Sequence, residues 1–210
     1  MADNYLGRKM EEYEAQRCAS VRTRRVSLQS LLAKNRSTRG FDTSFKVRYD
    51  QLVSLIDAAR LAPSARNRQV LRYRLVTSEE AHLLLPHIKL GGALPELNLP
   101  LPNTEPNAFV VICCDEEGRY VDMDLGIAAQ TILLRAVEMG LNGVCIAAFD
   151  RKAISEGLAL PHAPQLVLAI GRSAERIEVV DVVAGKSTTY YRENGTHFVP
   201  KLRTEDLIIK

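Results

Sequence analysis

Tryptophan is absent from the 210 residues and aromatics make up only 6% of them, so any core is left to aliphatic side chains. The longest apolar run, Ala108 to Cys114, is far too short to cross a bilayer. Met1 to Gln16 is charged throughout and holds no apolar stretch of the kind that opens a secretory signal. The four cysteines (Cys18, Cys113, Cys114, Cys145) show no two-residue spacing and no partnering histidine motif, which excludes the common zinc arrangements. Three of them lie in apolar runs, where a thiol packs as a small hydrophobe, and the expectation is a reduced, cytoplasmic protein. No Gly-x-Gly-x-x-Gly turn follows a strand, which disfavours a dinucleotide-binding dehydrogenase. There is likewise no P-loop, no Gly-x-Ser-x-Gly elbow and no paired-histidine motif. The net charge of +3 is too small to argue for nucleic acid, although a local basic patch can still hold an anion.

What is present describes one ordinary globular domain. The apolar fraction of 46% and charged fraction of 25% are typical, and a chain of this length buries a core without disulfides or structural metal. Helical spacing is expected over Tyr5–Cys18, followed by a basic run at Arg22, Arg24 and Arg25. An amphipathic segment covers Ser27–Lys34, and a helix capped by Asp50 runs until Pro63. Leu71–Thr77 alternates as a strand, and Glu79–Ile88 reads as a short helix broken near Pro86. Lys89–Pro106, rich in glycine, proline and leucine, reads as an ordered flap, since five leucines need a surface to cover. Ala108–Cys114 is a doubly buried strand. The strongest helix is capped by Asp122 or Asp124 and stopped by Gly140 and Gly143; its apolar residues cover most of its circumference, so it is buried on more than one side. Val144–Ala148 and Leu166–Ile170 return as strands around a helix at Arg151–Gly157. The charged, strand-rich tail ends in Leu207–Ile209, which asks for a sheet edge.

Two stretches carry chemistry. Asn35 to Asp42 places Arg36 and Arg39 around the hydroxyls of Ser37 and Thr38, with Gly40 next. Guanidinium forks, hydroxyls and free backbone N–H groups at a helix boundary together suit a phosphate; the bland reading is a solvated basic turn. Ala62 to Gln69 ends a helix at Pro63 and lines a bend with Ser64, Asn67 and Gln69, whose donors and acceptors suit a heteroaromatic ring; the bland reading is a polar turn. The histidines read as structural: His82 and His87 straddle Pro86 at a poor metal spacing, His162 sits in a surface loop, and His197 packs in the tail. Cys113 and Cys114 read as inert packing rather than a redox pair.

In order along the chain stand the arginine-serine-arginine element, the proline-serine bend, Asp124-Leu125-Gly126-Ile127-Ala128-Ala129-Gln130, the turn Gly140 to Gly143, and Gly171-Arg-Ser-Ala-Glu175. This series, over about Leu31 to Arg203, resembles the FMN-dependent nitroreductase family. The resemblance implies a three-layer α+β fold, with a mostly antiparallel central sheet flanked by helices, in an intertwined homodimer holding FMN at its interface. It implies Arg36, Ser37 and Arg39 as the first half of the phosphate site, completed by Lys201 and Arg203. It implies Pro63, Ser64, Ala65, Asn67 and Gln69 as the bend against the isoalloxazine ring, from the neighbouring subunit, and Ile146, Ala147 and Ala148 as the strand end whose backbone approaches flavin N5. The flavin would carry the chemistry, with no catalytic side chain and no metal. NADH or NADPH would be the donor, and a nitroaromatic or quinone the small-molecule acceptor. No nucleic-acid or membrane partner is expected. Where members often carry a basic residue before Arg36, this chain has Asn35. The domain plan is an N-terminal helical extension, 1–30, and an FMN-binding domain, 31–210, with a flap at 90–106 and a C-terminal arm at 188–210. The rivals are a non-catalytic flavin-binding protein and a basic module for anions or nucleic acid, built on Arg22, Arg24, Arg25, Arg36 and Arg39.

Overall fold

The structure, a computed structural model, describes Lys9, residues 26–92, Leu97 and residues 99–209. The helix expected at Tyr5–Cys18 (Lys9 apart) and the basic run Arg22 to Arg25 lie outside the described residues.

A four-stranded sheet forms the centre, in the order β1 (Arg72–Val76), β2 (Ala108–Cys113), β4 (Pro164–Gly171), β3 (Asn142–Ile146), and every pair in it is antiparallel. Strand β2 is buried along its whole length, which explains its unbroken apolar sequence: both faces are covered. Ala108, Val110 and Ile112 point to one layer, made by α2 (Tyr49–Arg60) and α3 (Arg119–Glu138). Phe109, Val111 and Cys113 point to the other, where Phe41, Leu84, Ile154 and Leu158 pack. Ile154 belongs to α4 (Arg151–Gly157), the main helix of that face. The alternation of one strand between two clusters is what makes the domain three layers deep. Ser27 caps α1 (Leu28–Lys34) by accepting from Ser30 N at 3.2 Å, and this helix spans the boundary expected at residue 30.

Several boundaries differ from the sequence reading. Helix α3 starts at Arg119 after Gly118, not at an aspartate cap; Asp122 lies in its first turn, and Asp124 is buried and used elsewhere. Helix α2 is capped at Arg48, whose N–H donates to Gln51 Oε1 at 3.0 Å, rather than at Asp50. The short helix at Glu79–Ile88 resolves into two 3-10 turns, Ala81–Leu83 and Leu85–His87, since Pro86 interrupts regular bonding. Strand β3 is shifted two residues earlier than expected, so Ala147 and Ala148 lie just past its end. Cys145 is exposed rather than buried; it lies on the edge strand, on the same face as Gly143.

The tail forms its own sheet, in the order β5 (Arg176–Val182), β7 (Thr196–Leu202), β6 (Tyr191–Glu193). Strands β5 and β7 are parallel there, and β6 pairs antiparallel with β7. A last short helix, α5 (Thr204–Leu207), follows, and Leu207, Ile208 and Ile209 are exposed.

Candidate functional site

Strand β3 is a sheet edge, and its outer rim organises the site. At its start, Ser37 bridges Gly143 in parallel and Thr38 N donates to Gly143 O at 3.2 Å. Only glycine fits there, because a Cβ on Gly143 would stand 2.4 Å from Ala169 O and 2.8 Å from Leu133 Cδ2. At the far end Ile88 bridges Phe149, Lys89 N donates to Ala148 O (2.9 Å) and Asp150 N to His87 O (2.8 Å). Between these bridges the rim is not covered by another strand among the described residues, over about 20 Å of extended chain. Because Gly143 turns its carbonyl outward, the antiparallel alternation turns the backbone groups of Cys145 and Ala147 outward too. Ala147 and Ala148 are both exposed.

The expected flap is stitched to both ends of this rim. Its root is the ladder at Lys89, and near its far end Thr104 O accepts from Phe41 N at 2.9 Å, next to the arginine loop. Of the flap's leucines, Leu90 packs against the cluster around Phe41 and Leu84, whereas Leu101 is exposed. A cavity of about 590 Å³ opens at the root, lined by Pro86, His87, Ile88, Lys89, Ala148, Phe149 and Asp150.

The arginine loop is held by a carboxylate, that of Glu175 at the end of the Gly171-Arg-Ser-Ala-Glu175 series. The Glu175 side chain is 8% exposed. Its Oε2 accepts from Arg39 N at 2.6 Å and from Thr38 Oγ1 at 3.1 Å, and its Oε1 pairs with Arg192 of β6. Thr38, fully buried, also bonds Ser173 Oγ at 2.7 Å. His197 is buried beside this cluster, its ring 5.1 Å from that of Tyr190, and Arg39 lies over the Tyr190 ring at 4.8 Å. Burial first, then the nearby Arg192 and Arg39, hold the His197 imidazole below its usual pKa.

Arg36 behaves differently from Arg39. One terminal nitrogen donates to Leu32 O at 2.7 Å, but its Nε is buried with no partner. Burial lowers its pKa, and a buried donor without a partner is an arrangement that an added acceptor would relieve. Ser37 is exposed beside it. An anion at the start of the β3 rim would meet both, so these residues fit a phosphate.

The bend at 63–69 lies on the opposite edge of the sheet, leading into β1. It contains the 3-10 turn Ala65–Asn67 and is tied to α3 by Ala65 N donating to Asp124 Oδ1 at 2.9 Å. Pro63, Ser64, Gln69, Tyr73 and Asp124 line a cavity of about 210 Å³ between α2, α3 and β1. Three strand spacings, about 14 Å, separate that edge from the β3 rim. Leu133, against Gly143, stands nine residues up α3 from Asp124, about 13 Å along its axis. One chain therefore does not bring Ser64, Ala65, Asn67 and Gln69 to Arg36, Ser37 and Ala147. Nor does it bring Lys201 and Arg203 there. They lie at the end of β7 away from the loop, Lys201 within the strand and Arg203 just after it, about 20 Å from His197 along an extended chain. Arg203 is engaged with Glu205 (3.2 Å) and Asp206 (3.6 Å). Arg192, which spacing alone does not single out, brings a cation of the tail beside the loop through Glu175, and Arg172 pairs with Asp42 at the loop's end at 3.7 Å. The buried pair Cys113–Cys114 fits the packing expectation, with burial pushing the Cys113 thiol up to about 11.

Comparison with known proteins agrees with this architecture. A Methanocaldococcus jannaschii protein, provisionally named a nitroreductase, is 38% identical over 61 residues, 29% of this chain and 31% of its own length. An FMN-dependent nitroreductase of Clostridium difficile is 26% identical, superposes with a TM-score of 0.54, and is matched over 71% of this chain and 89% of its own. A nitroreductase family protein of Streptococcus pneumoniae shares the fold at 18% identity (TM-score 0.61; 72% and 93% covered). So does a protein of Exiguobacterium sibiricum solved in complex with FMN (18%, TM-score 0.60; 71% and 90% covered). The nitroreductase family model matches residues 32–172, from the helix before the arginine loop to the strand end before Glu175. With two thirds of its length in that match and the three-layer sheet in place, this chain belongs to the nitroreductase family.

Proposed function

We propose that the chain is an FMN-dependent oxidoreductase, acting as a homodimer in the reducing cytoplasm. It would draw electron pairs from NADH or NADPH and pass them to a small nitroaromatic or quinone. The observation that carries this reading is the uncovered β3 rim, which begins at the orphaned Arg36 Nε and ends at the exposed Ala147 and Ala148. Arg36, Ser37 and Arg39 would hold the phosphate, and charge-assisted hydrogen bonds of about 1.5–3 kcal/mol each would retain the cofactor without a covalent link. Within the strand end Ile146–Ala148, the outward backbone of Ala147 would face the ring, where fixed N–H dipoles favour added negative charge. Bound FMN would supply the hydride chemistry, so the protein needs no nucleophile of its own. The cavity beside Ala148 would admit donor and acceptor in turn, in a ping-pong order, and the flap, tied at its two ends to this rim, would keep water out.

Pro63, Ser64, Ala65, Asn67 and Gln69 would serve the ring held by a second copy, because they stand on the far edge of their own sheet. The stripe Tyr120, Met123 and Ile127 on α3 is exposed at 65%, 51% and 38%, an apolar helix face that a second copy would cover. Lys201 and Arg203 would reach a phosphate only across that interface. The test is the absorption spectrum of the purified protein, followed by anaerobic titration with each nicotinamide. A yellow protein bleached by NADH or NADPH and recoloured by a quinone is expected. A colourless protein that takes up no added FMN would overturn the reading, and one that binds FMN but is not bleached would favour a flavin-binding role.

A further inference from the structure

The bend on the β1 edge is held in a conformation that its residues do not prefer. Arg66, Asn67 and Gln69 have φ values of +53°, +54° and +51°, in the left-handed region that side-chain-bearing residues seldom enter. Such a run persists only where its surroundings over-determine it. Local bonds help, with Asn67 N donating to Ser64 O at 2.9 Å and Gln69 N to Ser64 Oγ at 3.3 Å. Among the described residues, two side-chain contacts reach beyond the adjacent β1. Arg68 pairs with Glu116 across exposed surface, a weak restraint. Asp124, 6% exposed on α3, accepts from Ala65 N at 2.9 Å. The same carboxylate lines the cavities on both sides of the bend and, after burial, raises the phenol of Tyr73 across one of them.

We propose that Asp124 is the positioning residue of the site: it clamps the Ala65 N–H and so keeps the 64–69 bend preformed, with Ser64, Asn67 and Gln69 presented to the flavin of the neighbouring copy. This rests on the FMN reading above. The geometry allows the role to be isolated from both charge and fold. Asp124→Asn keeps an acceptor oxygen and loses the charge, whereas Asp124→Ala loses both. Ala65→Pro deletes the donor instead, and the backbone accepts it: Ser64 is already extended (φ −131°, ψ 154°) and Ala65 opens a 3-10 turn.

The experiment titrates the FMN-free full-length chain with FMN by fluorescence and follows Ala65 amide exchange in the same FMN-free protein. Asp124→Ala is expected to weaken FMN binding about tenfold, the loss of roughly one buried hydrogen bond, and to speed Ala65 exchange. Asp124→Asn should restore both to within about threefold of wild type, the margin set by a neutral rather than charged acceptor. Ala65→Pro should cost a similar factor, and combining it with Asp124→Ala should cost no more than either alone, since both remove one interaction. Wild-type affinity in Asp124→Ala, or additive losses in the double variant, would overturn the proposal. If Asp124→Ala does not fold, unchanged affinity in Ala65→Pro overturns it instead. A wild type that takes up no FMN sinks the functional reading, and equal Ala65 exchange in wild type and Asp124→Ala then sinks this one independently.

Discussion

The two edges of the central sheet hold the two halves of the candidate site by opposite means. On the β3 edge the arginine loop is fixed by residues far away in the chain. Gly143 bonds Thr38, and Glu175, 136 positions beyond Arg39, takes its backbone N–H. On the β1 edge the bend carries strained dihedrals and is held by bonds between near neighbours, an exposed pair with Glu116 and one buried tether, to Asp124. A site half that is part of the tertiary core should fail by unfolding. One that is a locally strained loop should fail by losing its ligand while the fold survives.

The sharpest break is expected on the β3 edge. Gly143→Ala forces a Cβ to within 2.4 Å of the Ala169 carbonyl, which backbone cannot yield without separating β3 from β4. A loss of about 3 kcal/mol in urea unfolding is expected, at the upper end for overpacking. Glu175→Ala should come next. It leaves the Arg39 N–H and the mostly buried Arg192 without the acceptor they share and takes one of several partners from the buried Thr38 hydroxyl, at about 2 kcal/mol. Glu175→Gln, which keeps the acceptor oxygen, should recover part of that. If either variant unfolds no more easily than wild type, the two edges are not held differently.

Arg36→Ala tests the same edge for binding rather than stability. Its Nε has no protein partner to lose and its bond to Leu32 O is an exposed one, so unfolding should change little while FMN affinity falls about tenfold or more, the worth of one charge-assisted hydrogen bond. Arg39→Ala should fall less in affinity and more in stability, because that guanidinium is engaged with Ser37 O and the Tyr190 ring. Equal profiles for the two would remove the distinction between them.

The sequence shows the layers well, because periodicity reports burial. The uninterrupted run in β2 marks a strand covered on both faces, and α3's broad apolar surface marks a helix in the core. The arginine loop and the proline-serine bend are also legible as polar punctuation between such elements. Assembly is not. Nothing in the spacing of Asp124 says that it leaves the capping position to Gly118 and bonds a backbone N–H 59 residues upstream. Glu175 reads as one more charge in a charged tail, and its burial depends on Arg192 arriving from a separate sheet. Lys201 and Arg203 stand in an order that suits a phosphate clamp, but the parallel pairing of β5 with β7 carries them away from the loop. Sequence order says when a residue arrives; the crossover between strands says where.

That tail gives the gentler tests. His197 is buried, and its pKa is lowered by burial and by the cations Arg192 and Arg39. The unfolded chain therefore binds a proton more readily than the folded one, and stability should fall as pH drops below the ordinary value of 6.5 and level off below the folded value. Urea unfolding between pH 8 and pH 5 should show this slope, and His197→Phe should flatten it without steepening it elsewhere. Smaller still is the effect expected of Lys201→Ala. Lys201 is exposed on β7, away from Arg36 within its own chain, so FMN affinity should stay within about threefold if only screened, long-range attraction is lost. A tenfold loss would mean that Lys201 reaches the phosphate of a second copy, and that the β3 edge, like the β1 edge, is completed across the dimer.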